Sequence, residues 1–175
     1  MPFIDRCPGC PYQGKAIGSR GNPASRIVLV GEAPGAQEII EGEPFRGAAG
    51  AVLWRAVDEA RLLEGELFVT NSVACRPPHG PPSARAVLAC HGRLVREIEA
   101  RPRDVIVALG RTAVRAVTGR RDFLMLKEHG ELLSSPWAPV VPTLHPARVL
   151  RRPAAYPMLV EDLEHARRLT YGSGV

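Results

Sequence analysis

Residues 28–50 read VLVGEAPGAQEIIEGEPFRGAAG, and this stretch decides the fold class. A short apolar run ends in GEAPG, an acidic loop is predicted to follow, and a helix is predicted to begin at Ala48. Glycines at the carboxyl end of a strand let backbone amides approach a ligand, and a helix amino terminus favours negative charge. Open α/β sheets bind their ligands at this edge. The stretch therefore predicts the floor and one wall of a pocket.

The rest of the chain alternates short apolar runs with helical patterns. Buried, partly β-branched runs predict strands over 26–30, 67–70, 104–110 and 140–144. Capping signals and apolar side chains at helical spacing predict helices over 48–62, 83–100, 112–117 and 156–169. Loop-forming residues occupy 12–24, and an irregular or hairpin segment is predicted over 122–136. This alternation favours an α/β fold with a mostly parallel sheet between helices, and residues 1–175 are predicted to form one domain.

Composition is that of a globular protein, with 45% hydrophobic and 23% charged residues. No apolar run is long enough to span a membrane and residues 1–5 do not form a signal peptide, so a cytoplasmic protein without membrane contact is expected. The net charge of +5 comes almost entirely from arginine, since Lys15 and Lys127 are the only lysines. Arginine binds phosphate bidentately and stacks on bases, which fits a nucleic-acid partner, although a GC-rich genome would also favour arginine.

The four cysteines form two pairs, Cys7 with Cys10 and Cys75 with Cys90. Cytosolic proteins rarely use disulfides, and four thiolates suit either zinc or an iron–sulfur cluster. Structural zinc sites usually have two tight pairs, whereas fourteen residues separate the second pair here and Cys90 falls in a predicted helix. The spacing therefore favours a cubane cluster with a structural role, which would tie the amino-terminal segment to residues 71–100.

Four motifs follow one another along the chain: GEAPG at 31–35, PFRG at 44–47, TNSVACRPP at 70–78 and HPARVLR at 145–151. Together with the cysteine spacing, this ordered set resembles the uracil-DNA glycosylase superfamily, and within it the family-four type that carries a [4Fe-4S] cluster. The resemblance extends from Cys7 to about Leu169. It implies a three-layer α/β/α sandwich with a central four-stranded parallel sheet.

The resemblance also implies a role for each residue of the pocket. Phe45 stacks on a uracil flipped out of DNA, Asn71 reads the Watson–Crick edge of the base, and His145 hydrogen-bonds its O2. Glu38 lines the pocket near C5, where a thymine methyl group would clash. Gly31 and Gly35 belong to the first motif and contact the substrate.

Outside the pocket, the resemblance places two further sets of residues. The residues of the loop that presses into the DNA minor groove include Arg148, Leu150 and Arg151. The ligands of the cluster are Cys7, Cys10, Cys75 and Cys90.

The chemistry of base release explains these residue types. Breaking the C1′–N1 bond leaves an oxocarbenium-like sugar and a uracil anion. A hydrogen bond from His145 would strengthen as that negative charge develops, and a carboxylate could orient the attacking water. The best-known branch of the superfamily has an aspartate where this chain has Ala33. Glu32 is therefore the predicted water-handling residue and Glu38 the alternative, so the predicted catalytic set is Glu32, Asn71 and His145.

These features predict a monofunctional uracil-DNA glycosylase, a hydrolase of N-glycosyl bonds that leaves an abasic site in base excision repair. Neither lysine is placed for β-elimination, and a monomer associated with the nucleoid is expected. One alternative is a relative that traps uracil-containing DNA covalently through a histidine, for which His79 is the one candidate in the proline-rich segment 77–83. Another is a non-catalytic iron–sulfur module that binds DNA without releasing a base.

Overall fold

The computed structural model describes residues 9–12 and 14–172, and within them five strands form one sheet. In the order of the sheet, the strands are β1 (Arg20–Gly21), β3 (Leu67–Asn71), β2 (Ile27–Gly31), β4 (Val105–Leu109) and β5 (Val140–Thr143). Strands β2 to β5 are mutually parallel, and β1 pairs with β3 in the antiparallel direction. The predicted mostly parallel sheet is confirmed, and its four parallel strands match the four predicted runs.

The short edge strand β1 corrects the prediction of a loop over 12–24. It forms through close backbone approach and not through an apolar run, which is why its signal in the sequence is weak. Gly21 lies opposite Phe68 with a φ of +87°, and a Cβ atom there would be 2.1 Å from the carbonyl oxygen of Leu67. Only glycine fits such a contact in this conformation.

Seven α-helices lie within the described residues. They are α1 (Ala36–Glu41), α2 (Ala48–Glu59), α3 (Ala84–Glu99), α4 (Arg111–Thr118), α5 (Met125–Glu128), α6 (Pro146–Arg151) and α7 (Tyr156–Tyr171). Short 3-10 turns occupy Glu64–Glu66 and Pro153–Ala155. The predicted helices correspond to α2, α3, α4 and α7, and Ser83 caps α3 by accepting a hydrogen bond from the amide of Ala86 at 3.2 Å.

Three short helices were not predicted as such. Helix α1 replaces the predicted acidic loop, because Glu38 bonds back to the amide of Gly35 and Gly42 ends the helix in a left-handed conformation. Helix α6 replaces the predicted DNA-contacting loop, with Pro146 in its first turn. Helix α5 lies in the segment predicted to be irregular or a hairpin, and that segment also makes an antiparallel bridge through Leu133.

The core is formed by the sheet and the helices that cover it. All residues of the four parallel strands are buried, as expected for strands covered on both faces. Helices α2, α6 and α7 contact one another, and α3 contacts α4, which gives the predicted three-layer arrangement. No helix in the described part of the chain combines the length and apolarity that crossing a membrane requires.

Candidate active site

A cavity of about 300 Å³ opens at the carboxyl ends of the parallel strands. The residues that line it include Glu32, Gly35, Glu38, Phe45, Asn71 and His145. The ring centroids of Phe45 and His145 are 6.1 Å apart, and the ring planes are inclined by 35°. The structure therefore brings together side chains that the sequence places up to 113 residues apart, from Glu32 to His145.

Phe45 is held in an unusual backbone conformation. Its φ is +56°, in the left-handed region that non-glycine residues rarely adopt, and the residue is only 6% exposed. The indole Nε1 of Trp54 donates a hydrogen bond to the Phe45 carbonyl at 2.9 Å. A Cβ atom on Gly50 would lie 2.0 Å from the same carbonyl oxygen. Strain of this kind persists only where the surroundings fix it, so Trp54 and Gly50 set the position of the ring.

Gly31 leaves the space in which Phe45 and Asn71 meet. It is the last residue of β2 and lies opposite Asn71 in the parallel register. A Cβ atom on Gly31 would be 2.3 Å from Asn71 Oδ1 and 2.7 Å from Phe45 Cζ. Gly31 is thus required by the packing beneath the cavity, which explains the first glycine of the GEAPG motif.

His145 is positioned as a neutral hydrogen-bond donor. It caps α6, and its Nδ1 accepts a hydrogen bond from the amide of Ala147 at 3.1 Å. Because Nδ1 is an acceptor, we assign the ring proton to Nε2. Burial lowers the pKa of His145; Glu32 and Glu38 oppose that effect, and Arg151 adds to it. The imidazole is therefore neutral near pH 7, with Nε2–H as the donor that it can offer a ligand.

Glu32 connects the cavity to α4. One of its carboxylate oxygens accepts a hydrogen bond from the hydroxyl of Thr112 at 2.5 Å, and its backbone carbonyl accepts one from the amide of Val73 at 3.0 Å. The carboxylate lies close enough to His145 that its charge partly opposes the lowering of the imidazole pKa by burial. Glu32 is thus an oriented carboxylate beside a neutral imidazole.

Glu38 lines the cavity, and its carboxylate is bound to the backbone around it. One oxygen accepts from the amide of Gly35 at 3.1 Å, and the other accepts from the amides of Arg46 and Gly47 at 3.1 and 2.9 Å. The side chain therefore closes the segment that carries Phe45 into a compact loop. Sequence reasoning did not foresee this brace, because the contacts depend on how α1 turns back toward Gly47.

Replacing Glu38 with glutamine tests the brace. Both oxygens of Glu38 accept from backbone amides, and in Glu38→Gln one of them is replaced by an NH2 group that cannot accept. Because a backbone donor then loses its partner, we expect a loss of about 2 kcal/mol in the free energy of unfolding. In a chain of this size that corresponds to a fall in Tm of about 4 to 8 °C, measurable by thermal denaturation. The matched control is Glu41→Gln, on the exposed side of the same helix, where Tm should remain within about 1 °C. Equal shifts in the two variants would contradict the brace.

A second and larger cavity of about 660 Å³ adjoins the first and shares Glu32, Gly80, His145 and Ala147 with it. Its lining is strongly basic, and the arginines in it are Arg111, Arg115, Arg120, Arg121, Arg148 and Arg151. We call these six residues the arginine groove. Sequence analysis predicted Arg148 and Arg151 but missed the arginines of α4 and of the turn after it. The sequence signal that could have identified them is the position of α4, which begins directly after the carboxyl end of β4.

Leu150 was predicted to contact DNA together with these arginines. It lies on α6, where its side chain is 46% exposed. An exposed leucine between two residues of the arginine groove is consistent with that prediction, which no contact in the structure tests.

Three of the four cysteines lie within the described residues, and Cys7 lies outside them. Burial raises the pKa of the Cys75 thiol, the nearby Cys10 and Cys90 thiols raise it further, and Arg93 opposes this effect. The Cys10 and Cys90 thiols therefore lie near Cys75, and three neighbouring thiols form a donor set that fits a thiolate-bound metal group. Among residues 9–12 and 14–172, however, no three histidine, cysteine or acidic side chains lie in a metal-binding arrangement.

The amino-terminal segment is attached next to these thiols. Ala16 forms an antiparallel bridge with Cys75, and the amide of Ile17 donates to the carbonyl of Ala74 at 2.9 Å. The hydroxyl of Tyr12 accepts from the amide of Ser83 at 2.8 Å. Ordinary hydrogen bonds therefore already join this segment to the region that carries Cys75.

Phe45, Asn71 and His145 line one cavity at the carboxyl edge of a parallel sheet, which is the arrangement expected for the class of α/β protein predicted from the sequence. A sequence model of the uracil DNA glycosylase superfamily matches residues 19–167. The chain belongs to the uracil-DNA glycosylase superfamily, and the relatives that it resembles over nearly its full length are of type 4.

Three of these relatives are type-4 uracil-DNA glycosylases. The protein from Saccharolobus solfataricus is 34% identical, with 94% of this chain and 82% of the relative aligned. The protein from Pyrobaculum aerophilum is 36% identical over 91% of this chain and 85% of the relative. The protein from Thermotoga maritima is 33% identical over 94% of this chain and 89% of the relative.

Proposed function

We propose that this protein is a monofunctional uracil-DNA glycosylase that releases uracil from DNA and leaves an abasic site. The observation that carries the proposal is the placement of Phe45 and His145, with ring centroids 6.1 Å apart, in a cavity that Asn71 also lines. A base must leave the helical stack to enter such a cavity, at a cost of a few kcal/mol. Phe45 provides an aromatic surface that offsets part of this cost by stacking.

Asn71 recognises the base by its pattern of donors and acceptors. Its amide offers one donor and one acceptor side by side, which match O4 and N3–H of uracil. Cytosine presents the opposite pattern and would leave buried polar groups unpaired. A site of this kind discriminates strongly against the wrong base.

His145 stabilises the departing anion. The Nε2–H of the neutral ring donates to O2 of the uracil, and this hydrogen bond strengthens as negative charge accumulates on the base. Glu32, held by Thr112, offsets the positive charge on the sugar and orients the attacking water. Glu38 keeps the Phe45 segment in place, so we assign the water to Glu32 and not to Glu38.

The arginine groove carries the DNA backbone beside the extruded base. Its arginines bind phosphate, and the groove opens into the cavity at His145. Arg120 is engaged by Glu128 and Asp122, whereas Arg115 and Arg121 form no ion pair within the described residues and are available to bind phosphate.

A salt titration tests this path. In the double variant Arg115→Gln/Arg121→Gln we expect weaker binding of duplex DNA, and a plot of log K against log salt whose slope is smaller by about 2 in magnitude. The control is Arg101→Gln, an exposed arginine beyond α3 at the opposite, amino-terminal edge of the strands. An unchanged slope in the double variant would remove the groove from the DNA path.

We propose further that Cys7, Cys10, Cys75 and Cys90 hold a [4Fe-4S] cluster. The cluster would cross-link the amino-terminal segment to α3 and to the segment after β3, and it would have a structural role. Support comes from the type-4 relatives and from the closeness of the Cys10 and Cys90 thiols to Cys75, whose pKa they raise.

Metal analysis of protein purified without oxygen tests the cluster. We expect about four irons per chain and a brown colour, since that is the composition of the cubane. Cys75→Ser should lose the iron and lower Tm, whereas Ser134→Ala, at an exposed position, should do neither. Stoichiometric zinc in place of iron would show that the cysteines hold a different metal.

Base release is tested with an oligonucleotide that contains one uracil, followed by hot alkali. We expect strand scission with the wild type and strongly reduced scission with His145→Ala and Asn71→Ala. Binding without scission, with the metal site loaded and over a range of salt, would favour the non-catalytic alternative. The same reaction on a denaturing gel should show no protein–DNA adduct. An adduct that disappears in His79→Gln would instead support covalent trapping, since His79 lines the cavity.

A further inference from the structure

Helix α3 carries a buried arginine whose contacts the proposed chemistry does not use. Arg93 is 6% exposed, and its guanidinium donates to the hydroxyl of Thr70 at 3.0 Å and to the carboxylate of Glu97 at 2.7 Å. The second terminal nitrogen donates to the backbone carbonyl of Asn71. Arg93 therefore bonds to the last two residues of β3, and the second of these is the proposed base reader.

The charge of Arg93 is balanced at this position. Burial of a guanidinium is costly unless the charge is paired and hydrogen-bonded. Glu97 supplies the opposite charge from one turn along α3, and it also accepts a hydrogen bond from Thr70 at 2.5 Å. The three side chains form one largely buried polar network behind the end of β3, and the two terminal nitrogens of Arg93 direct one donor each at Thr70 and Asn71.

The network can fix the direction of the Asn71 side chain. Successive side chains in a strand point to opposite faces, so Thr70 faces α3 while Asn71 faces the cavity. Arg93 donates to the side chain of Thr70 and to the backbone carbonyl of Asn71. Loss of both bonds would free the end of β3, and with it the Cα–Cβ bond that carries the Asn71 amide toward Gly31 and Phe45.

We propose that Arg93 is a positioning residue, which fixes the backbone of Asn71 so that the amide meets the Watson–Crick edge of the base. The proposal rests on the proposed function, because it deepens the role of Asn71. Without Arg93 the amide samples other directions, and base recognition becomes slower and less selective. The proposal requires that the loss of base release in an Arg93 variant arise through Asn71, and not through the nearby Cys75 thiol.

A double-mutant cycle tests this dependence. We expect Arg93→Met to lower the single-turnover rate of uracil release by about 10- to 100-fold, a typical cost of a misplaced group. In the Asn71→Ala background the same substitution should change the rate by less than about twofold, because the residue through which it acts is gone. Arg93→Lys should recover part of the rate, since the ammonium group keeps the charge and a donor. Arg96→Met, an exposed arginine on the same helix, is the control and should match the wild type.

A spectroscopic readout makes the test independent of activity. The chain has only two asparagines, Asn22 and Asn71, so the side-chain amide signals of Asn71 in an NMR spectrum are identified by their loss in Asn71→Ala. We expect Arg93→Met to shift or broaden these signals and Arg96→Met to leave them in place. Equal losses of rate in both backgrounds, or an unmoved Asn71 amide, would overturn the proposal. A wild type that releases no uracil but whose Asn71 amide depends on Arg93 would instead overturn the proposed function alone.

Discussion

His145→Ala is expected to lower the single-turnover rate of uracil release by about 100- to 1,000-fold, the usual cost of removing one donor to a developing anion. The loss should fall on the chemical step, since the hydrogen bond to O2 strengthens only as the glycosidic bond breaks. Rapid-quench measurement with excess enzyme isolates that step. His91→Ala is the matched control, because His91 packs against Trp137 with ring centroids 6.0 Å apart and does not line the base cavity.

The same residue gives the stability of the protein a pH dependence of known sign. Burial lowers the pKa of His145 in the folded state, so between that pKa and the ordinary value near 6.5 the unfolded chain binds a proton that the native protein does not. The free energy of unfolding should therefore fall as the pH drops below about 6.5. Denaturant titrations at several pH values should show a shallower fall in His145→Gln. Identical slopes, or no loss of rate in His145→Ala, would contradict a neutral buried imidazole that acts on the base.

Gly31→Ala is expected to reduce uracil release by about 100-fold, because a methyl group at this position displaces both groups that hold the base. Its Cβ would lie 2.3 Å from Asn71 Oδ1 and 2.7 Å from Phe45 Cζ, and neither contact can persist. The rate of base release and Tm should be measured together, since the substitution also disturbs packing under the cavity.

Gly65→Ala serves as the control for added volume. A Cβ atom on Gly65 has no neighbour within 4 Å and the residue is exposed, so both rate and Tm should match the wild type. Full activity in Gly31→Ala would mean that Asn71 and Phe45 do not need the positions that they occupy here.

The parallel strands were predictable because a strand covered on both faces is apolar along its whole length. Runs such as Ile27–Gly31 and Val105–Leu109 leave few alternatives. The short elements were not predictable in the same way. Helix α1 depends on the bonds that Glu38 makes beyond the helix to Arg46 and Gly47, and β1 depends on the approach of Gly21 to Leu67, so both are decided by contacts outside the element itself.

The candidate site shows the same division. Phe45, Asn71 and His145 could be predicted to converge because each lies in a motif at or after the carboxyl end of a predicted strand. Arg115 and Arg121 could not, since an arginine on or after a helix has the same local pattern whether it faces solvent or a ligand. Arg93 could not be predicted either, because its position in a helix does not reveal that its side chain is buried and bound to Asn71. The single-domain and monomer assignments remain predictions.

The carboxylate of Glu38 joins three backbone amides on either side of Phe45, and Trp54 holds the Phe45 carbonyl from a third direction. Much of the conformational entropy of this segment is therefore given up on folding, before any DNA arrives. An incoming base meets a surface that need not reorganise, so little of the stacking energy is consumed in ordering the loop. A substitution that frees this loop should therefore weaken the affinity for an extruded base more than one that loosens another part of the chain.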